Sequence, residues 1–314
     1  MFDLGALQAA VAAQGRVARV VVAAVDGSGP REVGAAMLVW AGGMSGTIGG
    51  GALEWAAIRV AREMLGVGRR IRLDRVPLGP ALGQCCGGAV TLLTELQDAT
   101  TLAELEGRDV VARSVDGRAM PLAVKRMLAQ ARGQGVMPEP ALVQGWMVEP
   151  VARASREIWI WGAGHVGRAL VSVLAPLPGL AITWVDVAAD RFPAAVPEGV
   201  MVLPAADPAA LAAFAPPTAE HLVLTYSHVL DLELCHRLLT RGFAGLGLIG
   251  SATKWARFRA RLRALGHGDA EIQRIDCPIG EPGLGKHPQA IAVGVAVQLI
   301  KRPGRIASRQ ENAG

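Results

Sequence analysis

The sequence predicts an α/β protein of two domains, with a small N-terminal α/β domain and a C-terminal Rossmann-like, doubly wound parallel sheet. Three observations support this fold class. The chain has 314 residues, about twice the size of an ordinary domain. Short apolar stretches alternate with amphipathic ones, which is typical of strands packed against helices. From Glu157 onward the pattern becomes strand, glycine turn and helix, as in doubly wound sheets.

The first domain is predicted to span residues 1–112. Its expected elements are a helix over 3–14 with Asp3 as N-cap, a buried strand over 16–25, a hairpin with strands at 35–40 and 44–48, a helix over 52–65 and strands near 69–76 and 89–96. Residues 113–156 are rich in glycine and proline and are predicted to connect the domains, with one helix at about 121–132. The second domain is expected over 157–302, followed by a frayed polar tail at 303–314.

The second domain opens with the clearest structural motif. Glu157–Trp161 is an apolar strand, and residues 162–167 read Gly-Ala-Gly-His-Val-Gly before a helix. In this GxGxxG pattern Gly162 permits the tight turn, Gly164 lets backbone amides approach a phosphate, and Gly167 allows the helix to pack closely on the strand. His165 lies within the motif. Asp186 ends the next predicted strand, where an acid can receive ribose hydroxyls, so an NAD(P) site is one hypothesis.

Further strands are predicted at 200–203, 221–225 and 246–249, each followed by small or polar residues. His228 follows one strand and is a candidate acid, base or ligand. Ser251 and Lys254 follow the next strand and open a helix, so the exposed amides and the cation predict an anion site there.

Composition bounds the class of protein. The chain is 51% hydrophobic and 19% charged, which is typical of a compact globular fold. It has no apolar run of about 20 residues and no signal sequence, so a cytoplasmic protein without a membrane partner is expected. Four cysteines in this length do not form a disulfide framework. The net charge of +5 comes mostly from scattered arginines, and aromatic residues make up only 4%, so a nucleic-acid partner is not expected.

The most distinctive segment is Leu82-Gly83-Gln84-Cys85-Cys86-Gly87-Gly88. It holds half of the cysteines, and its glycines allow another molecule to approach the sulfur atoms. Thiolates bind soft metals, so Cys85 and Cys86 are candidate metal ligands, with Gln84 beside them.

Two other glycine-rich loops of the first domain are candidates for ligand binding. Gly27-Ser28-Gly29-Pro30-Arg31 offers Ser28 and a guanidinium suited to phosphate or a polar heterocycle. Gly49, Gly50 and Gly51 precede a helix and are predicted to form an anion cradle. Neither loop has the spacing of a Walker motif.

Taken together, these motifs resemble the XdhC/CoxI family of accessory proteins of molybdenum hydroxylases. The resemblance extends over about residues 16–302 and rests on Gly27–Arg31, Gly34–Val39, Thr47–Glu54, Leu78–Gly88, Gly162–Gly167, Asp186, Thr225–His228, Asp231, Gly247–Lys254, Cys277–Gly280 and Lys286–Pro288. The double cysteine and the two-domain length are similar to the XdhC branch, which matures xanthine dehydrogenase. Where the family commonly has His-Ser-His, this chain has Tyr226-Ser227-His228.

The resemblance implies a chaperone without catalytic residues of its own. Such proteins bind the molybdenum cofactor, hold it while a cysteine desulfurase supplies sulfur, and deliver it to the molybdenum subunit of apo-xanthine dehydrogenase. Cofactor biosynthesis proteins are further implied partners, and a homodimer is the expected assembly.

Two alternatives remain open at the level of the sequence. The GxGxxG motif and Asp186 are also compatible with an NAD(P)-dependent oxidoreductase. A dithiol redox or zinc protein built on Cys85 and Cys86 is the third interpretation, although no companion CxxC is present.

Overall fold

A computed structural model describes residues 1–79 and 87–301. The chain divides into two compact units, Met1–Ala152 and Arg153–Gly314. The predicted α/β class is confirmed, with a separate N-terminal α/β unit and a Rossmann-like C-terminal one. Within the described ranges, no helix combines the length and apolar composition that crossing a membrane requires.

The first unit contains a five-stranded antiparallel sheet in the order β3-β2-β1-β5-β4. Its elements are α1 (Leu4–Gln14), β1 (Val17–Asp26), β2 (Ala36–Trp40), β3 (Gly43–Gly46), α2 (Gly51–Val67), β4 (Ile71–Pro77) and β5 (Ala89–Gln97). Asp3 caps α1 as predicted, because its carboxylate accepts a hydrogen bond from Ala6 N at 2.9 Å. Alternate residues of β1 point to opposite faces, and Val20 and Val22 pack on Leu53 and Ala57 of α2.

The prediction that residues 113–156 connect two domains is wrong for most of that range. The segment continues a second, three-stranded sheet in the order β6-β8-β7, which belongs to the first unit. The elements here are α3 (Ala99–Ala103), β6 (Val110–Ser114), α4 (Leu122–Gln134), β7 (Ala141–Val143) and β8 (Trp146–Pro150). The glycines of this segment lie in tight turns, not in a linker. Gly135 ends α4 with a φ of 69°, and Gly145 lies in the turn between β7 and β8 with a φ of 83°.

The second unit is a six-stranded parallel sheet in the order β11-β10-β9-β12-β13-β14. Its strands are β9 (Arg156–Trp161), β10 (Leu180–Asp186), β11 (Val200–Pro204), β12 (Glu220–Val223), β13 (Gly245–Leu248) and β14 (Ile275–Asp276), and its helices are α5 (His165–Leu174), α6 (His228–Arg241), α7 (Ala252–Ala264), α8 (Asp269–Ile272) and α9 (Pro288–Lys301). This is the Rossmann strand order, in which the direction of winding reverses between β9 and β12. Ligands of such sheets bind beyond the carboxyl ends of these strands, so a ligand is expected at the loops after β9 and β12.

Both faces of the parallel sheet are covered, which explains its apolar strands. Ile158 and Ile160 of β9 pack with α5 and α9, whereas Trp159 and Trp161 face the core beneath α6 and α7. The predicted tail at 303–314 lies outside the described residues.

Candidate functional site

Three glycine motifs of the first unit meet at one end of the five-stranded sheet. Gly88 lies so close to the loop after β1 that a Cβ on it would clash with the carbonyl oxygens of Ser28 and Asp26. A Cβ on Gly49 would lie 2.5 Å from the Cβ of Pro30. The loops that carry Ser28, Gly49 and Gly88 are therefore packed in direct contact.

Leu78 and Gly88, which lie on either side of the cysteine segment at residues 79–87, pair with each other at this cluster. Leu78 N donates a hydrogen bond to Gly88 O at 2.8 Å, which continues the pairing of β4 with β5. Gln84, Cys85 and Cys86 lie outside the described residues. The chain therefore leaves the cysteine segment beside Ser28, and Leu78, which precedes the segment, pairs with Gly88.

The predicted anion cradle at Gly49–Gly51 already holds an anion, the side chain of Glu54. Its Oε1 accepts hydrogen bonds from Ile48 N and Gly50 N, both at 2.9 Å, and one from the hydroxyl of Thr47. Burial raises the pKa of Glu54, but these hydrogen bonds together lower it by more than burial raises it. The pKa of Glu54 is therefore below its ordinary value. An external phosphate would have to displace this carboxylate. The sequence did not predict this contact, because the donors are backbone amides, which the residue types of the loop do not reveal.

Arg31 is paired with its neighbour rather than free. Its guanidinium donates to both carboxylate oxygens of Glu32, at 3.0 and 2.9 Å. The hydrogen bond from Arg31 lowers the pKa of Glu32 to about 2. Both side chains are exposed, so the pair is weak and can open for another anion.

In the second unit, Gly162 and Gly167 play the structural roles predicted for them. Gly162 has a φ of 120°, and a Cβ there would lie 2.6 Å from Leu224 O. A Cβ on Gly167 would clash with Gly162 O, so this glycine lets α5 approach β9. A Cβ on Gly164 would meet no described atom within 4 Å, so its backbone stands open to a ligand.

Asp186 is buried and its carboxylate is already engaged. It accepts hydrogen bonds from Ala163 N, within the glycine loop, and from Val187 N at 2.6 Å, and it lies 3.6 Å from Arg191 Nε. Only 5% of the residue is exposed. A ribose diol would have to compete with these partners, so the arrangement fits the nucleoside end of NAD poorly.

A cleft of about 270 Å³ lies in front of the glycine loop, and two arginines border it. Arg168 donates to Ala163 O at 3.0 Å and to Arg191 O at 2.8 Å, and Arg191 lies over the ring of Tyr226 at 5.3 Å. The exposed His165 also lines this cleft. Sequence reasoning missed both arginines, although Arg168 directly follows the motif.

The loops after β12 and β13 meet at a buried ion pair. Lys254 Nζ donates to Asp231 Oδ2 at 2.6 Å and to Ile249 O at 2.8 Å, and Asp231 is completely buried. Asp231 in turn accepts from Thr225 N and from the Thr225 hydroxyl. The ammonium of Lys254 therefore neutralises the carboxylate of Asp231. This geometry does not favour the predicted binding of an external anion by Lys254.

The other candidates near this pair have structural or surface positions. Ser251 caps α7, since its hydroxyl accepts from Lys254 N at 3.2 Å. His228 is the exposed first residue of α6. Burial raises the pKa of Cys277 to about 11, although Lys254 opposes the shift, and burial also raises that of Cys235. Neither thiol is ionised at neutral pH. No cluster of three or more His, Cys, Asp or Glu side chains suited to a metal occurs in the described ranges.

Comparison with family models gives two matches that together reach into both units. The model of the XdhC Rossmann domain matches residues 158–299, and the model of the XdhC and CoxI family matches residues 10–75.

Two known proteins are similar to the chain. The uncharacterized protein YqeB of Escherichia coli K12 is 29% identical over 141 residues, which is 45% of this chain; the chain spans only 26% of YqeB. A crystal structure described as a xanthine dehydrogenase from Bacillus halodurans covers 100% of this chain and 98% of its own, with a TM-score of 0.68 at 20% identity. The latter similarity shows that the two chains share the fold.

Proposed function

The chain belongs to the XdhC and CoxI family, and from this premise we propose that it is a non-catalytic accessory protein of xanthine dehydrogenase that carries the molybdenum cofactor. In this role it binds the cofactor, holds it while a cysteine desulfurase supplies sulfur, and delivers it to the molybdenum subunit of the apo-enzyme. Cofactor biosynthesis proteins supply the cargo, and the working assembly is a cytoplasmic homodimer.

The observation that carries this proposal is the meeting of three motifs at the end of the first sheet. Gly88, which follows the double cysteine, contacts Ser28, and Gly49 contacts Pro30. Because only Gly87 separates Cys86 from Gly88 in the sequence, these contacts support a cargo bound near both glycine loops. Molybdenum coordinated by sulfur is a soft centre that a thiolate can contact reversibly, as transfer to another protein requires.

The described side chains supply means of holding an anionic cargo. Arg31 forms only an exposed pair with Glu32, so a phosphate can take the place of that carboxylate at small cost. The amides at Ile48 and Gly50 would become available if Glu54 moved away. Binding that replaces internal partners gains little net energy, which suits a carrier that must release its cargo.

The test is cofactor retention in single cysteine variants of the whole protein. Cys85→Ala and Cys86→Ala are purified from cells that make the cofactor, which is then released and oxidised to a fluorescent pterin. We expect at least one variant to lose most of the pterin and to activate apo-xanthine dehydrogenase poorly. Cys277→Ala, in the second unit, is the matched control and should retain its cargo. Full retention in both the Cys85 and the Cys86 variants would count against the thiol contact.

The GxGxxG loop at residues 162–167 is also compatible with an alternative function, that of an NAD(P)-dependent oxidoreductase. The open backbone at Gly164 and the cleft beside it favour an anionic group, whereas the engagement of Asp186 by Ala163 N gives the ribose diol little support. Titration with NAD and NADP separates the two functions, because tight binding of either nucleotide would favour the oxidoreductase. We expect neither to bind tightly.

A further inference from the structure

The strand β4 (Ile71–Pro77) forms one edge of the five-stranded sheet in the first unit. It pairs with β5 on its inner side, and within residues 1–79 and 87–301 no strand pairs with its outer side. The opposite edge of the sheet, β3, is much shorter and begins and ends in glycine. An edge as long as β4 offers unpaired N–H and C=O groups to a further strand.

The outward backbone groups of β4 belong to every second residue. Leu78 N donates to Gly88 O at 2.8 Å, so the residues at even positions turn their backbone groups toward β5. Because these groups alternate in direction along a strand, those of Leu73 and Arg75 point away from the sheet. Neither residue has a backbone partner on that side among the residues that the structure describes. The side chain of Leu73 is also exposed, by 41%.

The charged side chains on one face of β4 alternate in sign. Arg72 and Asp74 both line a groove of about 220 Å³ between α2 and β4. Arg72 Nε lies 2.7 Å from Asp74 Oδ2, and both side chains are partly exposed. Charged side chains on an edge strand usually oppose pairing with another strand. A positive and a negative charge two residues apart, however, complement a second copy of the same strand that runs in the opposite direction.

Only one of the longer two-fold registers avoids opposing like charges. Antiparallel pairing of β4 with a second copy can join five or more of its residues in three registers, with the axis at residue 73, 74 or 75. An axis at Asp74 or at Arg75 places that charge directly opposite its own copy, which is destabilising. An axis at Leu73 places each Arg72 opposite Asp74 of the other copy.

We propose that the first unit dimerises through this edge, with two β4 strands antiparallel about an axis at Leu73. The outward backbone groups of Leu73 and its copy then bond to each other, and the two five-stranded sheets join into one continuous sheet. Such an interface is isologous, since the same residues serve both copies. The inference rests on the homodimer of the proposed function and involves neither cysteine of residues 79–87.

Cross-linking tests the register. Leu73→Cys places a thiol at the axis, where opposite Cα atoms would be about 5.5 Å apart, a distance that a disulfide spans. Mild oxidation of the full-length variant should give a covalent dimer, and peptide mapping should find the bond between the two introduced thiols. Val67→Cys, in the last turn of α2, is the matched control: it is 73% exposed and should not form the corresponding bond. The unchanged protein controls for the native cysteines.

Charge exchange tests the pairing itself. Arg72→Asp places like charges opposite each other on both sides of the axis, so the dissociation constant of the dimer should rise about tenfold or more. Arg72→Asp combined with Asp74→Arg restores opposite charges and should dimerise as the unchanged protein does. Arg62→Asp alters net charge equally on an exposed face of α2 and should leave the dissociation constant unchanged. Analytical ultracentrifugation measures all four proteins, and circular dichroism checks that each is folded.

Two results would overturn the inference. A protein that stays monomeric at every concentration measured has no such interface. A dimer that neither cross-links through Leu73→Cys nor weakens in Arg72→Asp uses another surface. In both cases the carrier function is tested separately, because pterin retention in Cys85→Ala and Cys86→Ala does not depend on which surface joins the copies.

Discussion

Glu149 lies completely buried between Arg19 and Arg113, and its ionisation is tied to the folded state. Burial by itself would raise the pKa of this carboxyl, but the two guanidinium groups outweigh burial and lower the pKa to about 2. In the unfolded chain the same carboxyl titrates near pH 4.5. A depressed pKa in the folded state means that the ionised form stabilises the fold above the unfolded value.

The stability of the protein should fall in acid as Glu149 becomes protonated. The contribution of Glu149, on the order of 3 kcal/mol, is present above about pH 4.5 and is lost as the pH falls from there toward 2. Urea denaturation at a series of pH values should show this fall. The Glu149→Gln variant should be less stable at pH 7 and should decline less steeply below pH 5. Parallel curves for the two proteins would contradict the assignment.

Removal of the Lys254 ammonium would leave the buried carboxylate of Asp231 without a counter-charge. Lys254→Met should lower the free energy of unfolding by about 3–5 kcal/mol, as is usual when one partner of a buried pair is lost. Arg257→Met changes an exposed residue on the same helix and should cost less than about 0.5 kcal/mol. Chemical denaturation of both variants checks the difference. Similar losses in the two variants would show that the pair is not a structural anchor.

At the level of elements, the glycine turn between β9 and α5 offers two positions with opposite constraints. In Gly167→Ala the new methyl group would meet Gly162 O, so α5 must move away from the sheet, and we expect a loss of about 2 kcal/mol or more. Gly164 has an ordinary φ of −72°, and a Cβ there would meet no described atom within 4 Å. The Gly164→Ala variant should therefore be about as stable as the unchanged protein. Thermal unfolding of the two variants compares them. Equal melting temperatures would show that the close approach is not required.

The loop contact at Gly88 allows a parallel test of the proposed carrier site. Gly88→Ala would push Ser28 and Asp26 away and separate the loop after β1 from the cysteine segment, so retained pterin should fall several-fold. A Cβ on Gly87 would meet no described atom within 4 Å, so Gly87→Ala should retain its cargo. Pterin release from both purified variants is the measurement. Equal retention would place the cargo elsewhere.

Particular elements show what the sequence can and cannot predict. The turn from β9 to α5 was predictable because its glycines are required by the backbone itself, and the residue types record that requirement. The prediction of a linker fails for residues 113–152, which contain α4, β7 and β8. Glycine and proline occur in tight turns within a sheet as readily as in a linker. The partners of Glu54 and Asp186 were not predictable, because both carboxylates bind backbone amides that any residue carries.

On the scale of the whole molecule, each unit contains its own buried cores. Clusters centred on Val20 and Leu53 lie within the first unit, and those centred on Trp161 and Ile160 lie within the second. A unit with a complete core has the means to fold alone.

Separate expression tests this independence. Fragments 1–152 and 153–314 should each show a single cooperative urea transition with the circular dichroism of a mixed α/β protein. A fragment that stays unfolded by itself would show that its core depends on the other unit.

The strand β5 is one rigid segment of nine residues, and it begins directly after Gly88. A cargo held through the cysteine segment at this end of the strand would be labile toward thiol reagents. Counting pterin and molybdenum in one preparation before and after such a reagent would then show the two leaving together.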